Sequence, residues 1–150
     1  MFKVTKILYP TDFSEASLEA LKYAVSFARN CRAKLILMHV VNEKIFSEGL
    51  SLARVAAPES LEQEMTAEAG RQLKMIIPAE ERQGLDWEMV ILYGMPFLEI
   101  IRYAKANDVD MIVIGTAGRS GVEHMMFGST AEKVVRGAHC PVLSVKPAAQ

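Results

Sequence analysis

"DMIVIGTAGRSGVEHMMFGST", residues 110–130, decides the fold. Its first six residues, "DMIVIG" (110–115), read as a buried strand, and Ser129 and Thr130 open a helix. Between them lie Gly115, Gly118, Gly121 and Gly128. A loop so rich in glycine either only turns the chain or brings its backbone close to something.

Outward from this unit, strands and helices alternate. "KVTKILYP" (3–10) is a first strand that stops at Pro10. A helix follows from about Ser14, its cap, to Asn30, with Leu18, Leu21, Val25 and Ala28 on one face. "KLILMHVV" (34–41) is a near-continuous apolar run, as in a strand covered on both faces. Residues 42–57, with Gly49 and Pro58 as punctuation, are the only long irregular stretch and are expected to be the mobile region. A polar helix then starts near Pro58, with Ser60 and Gln63 as a capping box and Leu61, Met65, Ala69, Leu73 and Ile76 as its apolar stripe. Pro78 ends or kinks it. "DWEMVILYG" (86–94) is a third strand, and Pro96 suits the first turn of a helix to about Asn107, with Phe97, Ile100, Ile101 and Ala104 inward. After the glycine loop, Ala131, Val134, Val135 and Ala138 form a last helical stripe, and "PVLSVKP" (141–147) closes as a fifth strand.

The order β-α-β-α-β-α-β-α-β predicts a mostly parallel sheet with helices on both faces and right-handed crossovers. In such sheets ligands bind outside the carboxyl ends of the strands, where the strand order reverses. If strands one and four are neighbours there, "PTDFS" and "GTAGRSG" meet in one crevice.

At 150 residues the chain is expected to be one domain, residues 1–150. A net charge of −1 carries no basic surface for nucleic acid. No apolar run reaches the roughly 20 residues of a membrane span, and the N-terminus lacks a signal-peptide pattern, so a cytoplasmic location is expected. Cys31 and Cys140 lie far apart without CxxC spacing, so each is expected to be a buried or half-buried free thiol.

The glycine loop has its own chemistry. The N–H groups and dipole at the start of the helix at Ser129 and Thr130 attract anions, and Arg119 adds charge, so a phosphate chain is the natural ligand. GxxxxGK[ST] and GxGxxG are both absent. Phosphate binding and a plain glycine-rich connection with an ordinary helix start both remain open on these residues alone.

"ILYPTDFSEAS", "LMHVV", "DVDMIVIGTAGRSG" and "HCPVLSVK" resemble landmarks of the universal stress protein family, over essentially the whole chain. Gly115-x2-Gly118-x9-Gly128-Ser129 matches the G-x2-G-x9-G-[S/T] pattern of its ATP-binding branch. The resemblance implies an open five-stranded parallel sheet in the order 3-2-1-4-5, Rossmann-like and similar to the adenine nucleotide alpha hydrolases. It implies that Pro10, Thr11 and Asp12 line the adenosine and that the backbone of Val40 meets the adenine edge. Gly115 and Gly118 would admit ribose and phosphates, and Gly128, Ser129 and Thr130 would hold the phosphates. Asp12 would help to place Mg or Mn with the nucleotide. The resemblance also implies a homodimer through the last strand, Val142, Leu143, Ser144 and Val145, which suits an edge strand that is a liability unless paired. Ala117 departs from the histidine or other polar residue common there, so a contact from that side chain is missing, while the backbone pattern is intact.

Other residues have plainer readings. Asp12 either touches ligand or caps the first helix, and Arg119 is either solvated or phosphate-bound. His39 is expected to be a satisfied core histidine, His124 a surface residue and His139 a complement to a helix dipole. The three histidines lack metal-ligand spacing. Met125, Met126 and Phe127 read as packing, and Glu59, Glu62, Glu64 and Glu68 as a solvated helix face. The leading function is an ATP-binding regulatory module in stress response whose state an unknown protein partner reads. A slow or partner-dependent ATPase is second, and a dimeric adaptor that binds no nucleotide is third.

Overall fold

The computed structural model describes residues 1–44, 58–116 and 128–147. The elements are β1 (Lys6–Pro10), α1 (Glu15–Cys31), β2 (Lys34–Asn42), α2 (Pro58–Ile76), α3 (Ala79–Arg82), β3 (Trp87–Gly94), α4 (Pro96–Ala106), β4 (Met111–Gly115), α5 (Ser129–Gly137) and β5 (Val142–Val145). The strands form one sheet in the order β3-β2-β1-β4-β5, and every pairing is parallel.

The sheet is apolar on both sides because helices cover both. Ile7, Tyr9, Leu35, Leu37 and Val113 face α1 and α2, packing with Ala20, Ala24, Ala28, Leu73 and Ile77. Leu8, Ile36, Met38, Ile112 and Ile114 face α4 and α5, packing with Ile100, Ala104, Ala131 and Val134. This is why successive residues of β2 are all buried from Leu35 to Met38. Full burial of each such side chain is worth about 2 kcal/mol.

Several expected boundaries and faces move. β1 begins at Lys6 rather than Lys3, because the backbone N–H groups of Thr5 and Lys6 donate to the carboxylate of Asp110. Ser14 caps α1 as expected, its hydroxyl accepting from the Ser17 N–H at 3.3 Å. The buried face of α1 is made by Ala16, Ser17, Ala20, Leu21, Ala24, Val25 and Ala28, while Leu18 is exposed. Small residues let the helix lie close to the sheet, and their face is rotated away from Leu18. Cys31 is exposed, against expectation, because it closes α1 where the chain reverses through the left-handed Arg32; Cys140 is half-buried.

Ser60 and Gln63 do not form the cap, since α2 already runs from Pro58 and places Ser60 inside its first turn. Beyond Pro78 the short α3 was not legible in the sequence. Val135 is exposed, because the buried side of α5 is carried by Ala131 and Val134. β5 spans Val142–Val145 rather than 141–147 and forms an edge of the sheet. Of the segment 42–57, Asn42 extends β2, and residues 45–57 lie outside the described residues.

Candidate functional site

A crevice of about 930 Å³ opens at the carboxyl ends of the strands. It forms where the strand order reverses, since β1 pairs with β2 on one side and β4 on the other. Pro10, Thr11, Asp12, Val40, Gly115, Gly128, Ser129 and Thr130 all line it. The sheet therefore gathers every site residue expected from the sequence that lies among the described residues. Gly118 and Arg119 lie outside them, as do Ala117, His124, Met125, Met126 and Phe127.

The turn after β1 is tightly held. The Thr11 N–H donates to the Met38 carbonyl at 2.8 Å, tying the turn to β2. The Thr11 hydroxyl accepts from the Phe13 N–H at 2.9 Å and is hydrogen-bonded to the Ser17 hydroxyl. The Tyr9 hydroxyl donates to the Ser17 carbonyl at 2.6 Å. Burial pushes the Tyr9 phenol above its ordinary pKa, so it remains a donor in this network. The Asp12 carboxylate accepts from the Ser14 N–H at 3.0 Å. Asp12 thus closes a local turn, and the helix cap itself is Ser14.

His39 lies half-buried in β2, with Nδ1 at 2.7 Å from the Thr11 carbonyl and its ring 4.8 Å from that of Phe13. The expected hydrogen-bonding partner is present, and the residue lines the crevice as well.

At the opposite side, Gly128 precedes α5 and offers no side-chain cap. The first N–H groups of a helix have no intrahelical acceptor. Those of Ser129 and Thr130 therefore stand at the positive end of the α5 dipole, at the crevice. The Gly128 N–H donates to the Thr116 carbonyl at 2.5 Å, and the Thr116 N–H donates to the Val145 carbonyl at 2.9 Å. The start of α5 is thereby fixed to β4 and β5. Gly115 has a packing reason for lacking a side chain. A Cβ there would lie 2.8 Å from the Ala16 carbonyl carbon and oxygen and 2.9 Å from the Ser17 nitrogen.

The α2 wall was missed at the sequence level. Leu61, Glu64, Met65, Glu68, Ala69, Arg71 and Gln72 face the crevice. Glu64 and Glu68 are exposed, as a solvated face predicts, yet they stand at its mouth. Hydrogen bonds from Gln72 and Arg71 hold the Glu68 carboxyl below its ordinary pKa. Phe13, Ser17, Val41, Asn42, Pro96, Ile100 and Ile114 also line the crevice. Pro96, just beyond the end of β3, was the available signal that α4 starts beside the site.

Among the described residues no three His, Cys, Asp or Glu side chains are grouped to hold a metal. Asp12 fits a divalent cation only as one ligand of an ion whose other oxygens come from phosphates and water. No helix among the described residues is long and apolar enough to cross a membrane.

A doubly covered parallel sheet with its crevice at the switch point defines a Rossmann-like α/β protein. Residues 3–146 match the Universal stress protein family, and the chain belongs to it. Universal stress protein MJ0531 of Methanocaldococcus jannaschii is 36% identical over 141 residues, covering 94% of this chain and 81% of its own. The solved structure of MJ0577, a universal stress protein of the same organism, has a TM-score of 0.84 at 32% identity, covering 100% of this chain and 99% of its own. The fold is also shared with a universal stress protein in complex with cAMP, at 23% identity, TM-score 0.64 and coverage of 97% and 99%. The Archaeoglobus fulgidus universal stress protein in complex with dAMP shares it at 21% identity, TM-score 0.60 and coverage of 97% and 100%.

Proposed function

We propose that this chain is a cytoplasmic, ATP-binding regulatory module of stress response, acting as a homodimer. The observation that carries the reading is the meeting of two unlike ends in one crevice. The uncapped α5 N-terminus at Gly128, Ser129 and Thr130 takes the phosphates. Pro10, Thr11, Asp12 and Val40, at the ends of β1 and β2, take the adenosine. Mg or Mn would enter with the phosphates, beside Asp12. Relatives with the same fold hold cAMP in one case and dAMP in another, which supports an adenine nucleotide here. The glycine spacing through Gly118, with Arg119 beside it, extends the anion end in the sequence. Nucleotide occupancy would shift the protein between states that a partner distinguishes.

The test is the small-molecule content of freshly purified protein. Denaturation should release near-stoichiometric ATP, or the empty protein should take up added ATP with magnesium. A chain that releases nothing and takes up nothing overturns the reading and returns the adaptor role. ADP in place of ATP would favour slow turnover.

A further inference from the structure

We propose that Phe13 and His39 are positioning residues that hold the Asp12 turn in its ligand-binding shape. The inference rests on the nucleotide reading above and adds residues that reading does not use. Phe13 has φ 64°, a left-handed conformation that an aromatic residue rarely adopts. Such a conformation persists only where its surroundings over-determine it, and it concentrates at ligand clamps.

Three contacts do so here. The Phe13 N–H is held by the Thr11 hydroxyl at 2.9 Å. The Phe13 ring packs on the His39 ring, centroids 4.8 Å apart and planes 30° apart. His39 Nδ1 meets the Thr11 carbonyl at 2.7 Å, so its proton sits on that nitrogen to donate. One imidazole thus grips both ends of the dipeptide step that carries Asp12. It does so from β2, the strand that also carries Val40. The Phe13 side chain is also half-buried against the core under α1, which helps to hold the strained step. What the left-handed step secures is the direction in which the Thr11–Asp12 segment enters the crevice, before any ligand arrives.

Two variants test this. Phe13→Asn keeps a residue that tolerates the left-handed conformation and removes the ring. His39→Phe keeps an aromatic partner for Phe13 and removes the bond to the Thr11 carbonyl. The expected result is a folded protein in both variants, with the midpoint lowered more in Phe13→Asn, which also loses core packing, and a loss of affinity of about tenfold in each, the cost of ordering one or two groups on binding. That loss should be equal for AMP and ATP, because both share the adenosine end.

Parental affinity in either variant overturns the inference while leaving the nucleotide reading intact. A loss confined to ATP also overturns it, by placing the effect at the phosphates. So does a loss that merely tracks a collapse of the thermal midpoint in both variants. A parent protein that binds neither nucleotide overturns the nucleotide reading, and this inference with it.

Discussion

Gly115 and Gly128 belong to the same spacing pattern, yet their surroundings differ. The missing Cβ of Gly115 faces backbone atoms of α1 that cannot move aside as a flexible side chain would. Gly115→Ala should therefore destabilise the fold by about 1–3 kcal/mol, the ordinary cost of overpacking, as read by denaturant unfolding. Gly128 has φ −58° and ψ 154°, angles open to any residue. Gly128→Val should consequently fold normally and lose ATP affinity about ten- to hundredfold, as expected when bonds to charged phosphate oxygens are denied. An isothermal titration of both variants separates the roles. Parental ATP binding by Gly128→Val would remove the α5 N-terminus from the site.

At the scale of elements, the start of β1 depends on one carboxylate. Asp110 Oδ2 accepts from the Thr5 N–H at 2.8 Å, the Thr5 hydroxyl at 2.8 Å and the Lys6 N–H at 2.9 Å. Partial burial works upward on its pKa, but these bonds together hold it below the ordinary 3.8. A depressed carboxyl contributes stability that is complete above its unfolded pKa and lost as pH falls through the folded one. Thermal midpoints should therefore fall for the parent below about pH 4, and Asp110→Asn should be less stable at neutral pH with a shallower acid limb. Coincident acid limbs would show that this pin contributes nothing. Elements also differ in legibility. The helix at Pro96 and the cap at Ser14 were readable because proline and serine act locally. The capping box at Ser60 misled because Pro58 had already set the helical φ two residues earlier.

At the scale of the whole molecule, β5 is an edge strand. The Pro141 and Val145 carbonyls accept from the N–H groups of Ile112 and Thr116 of the β4 segment. By the two-residue alternation of a strand, Val142 and Ser144 direct their backbone groups to the open edge. The proposed homodimer would pair there. Ser144→Pro removes one outward donor and none that bonds β4. Sedimentation should shift from twice the 16.6 kDa chain mass to that mass. A parent that sediments as a monomer, or a variant that remains dimeric, removes β5 from the interface.

The sequence by itself determined the alternation of strands and helices and the doubly covered sheet, while the adjacency of β1 and β4 that opens the crevice came from the structure. The alternation and the covered sheet follow from local signals: apolar runs, caps, prolines and glycine spacing, each legible within a few residues. Only the tertiary structure decided that α2 walls the site, that Leu18 and Cys31 face outward, and that Gly115 serves helix packing. It alone decided that Phe13 is held in a left-handed turn by His39, 26 residues away in sequence. The physical reason is common to all four. Each depends on what a neighbouring element presents once the chain has closed, and no local periodicity encodes a contact between elements distant in sequence.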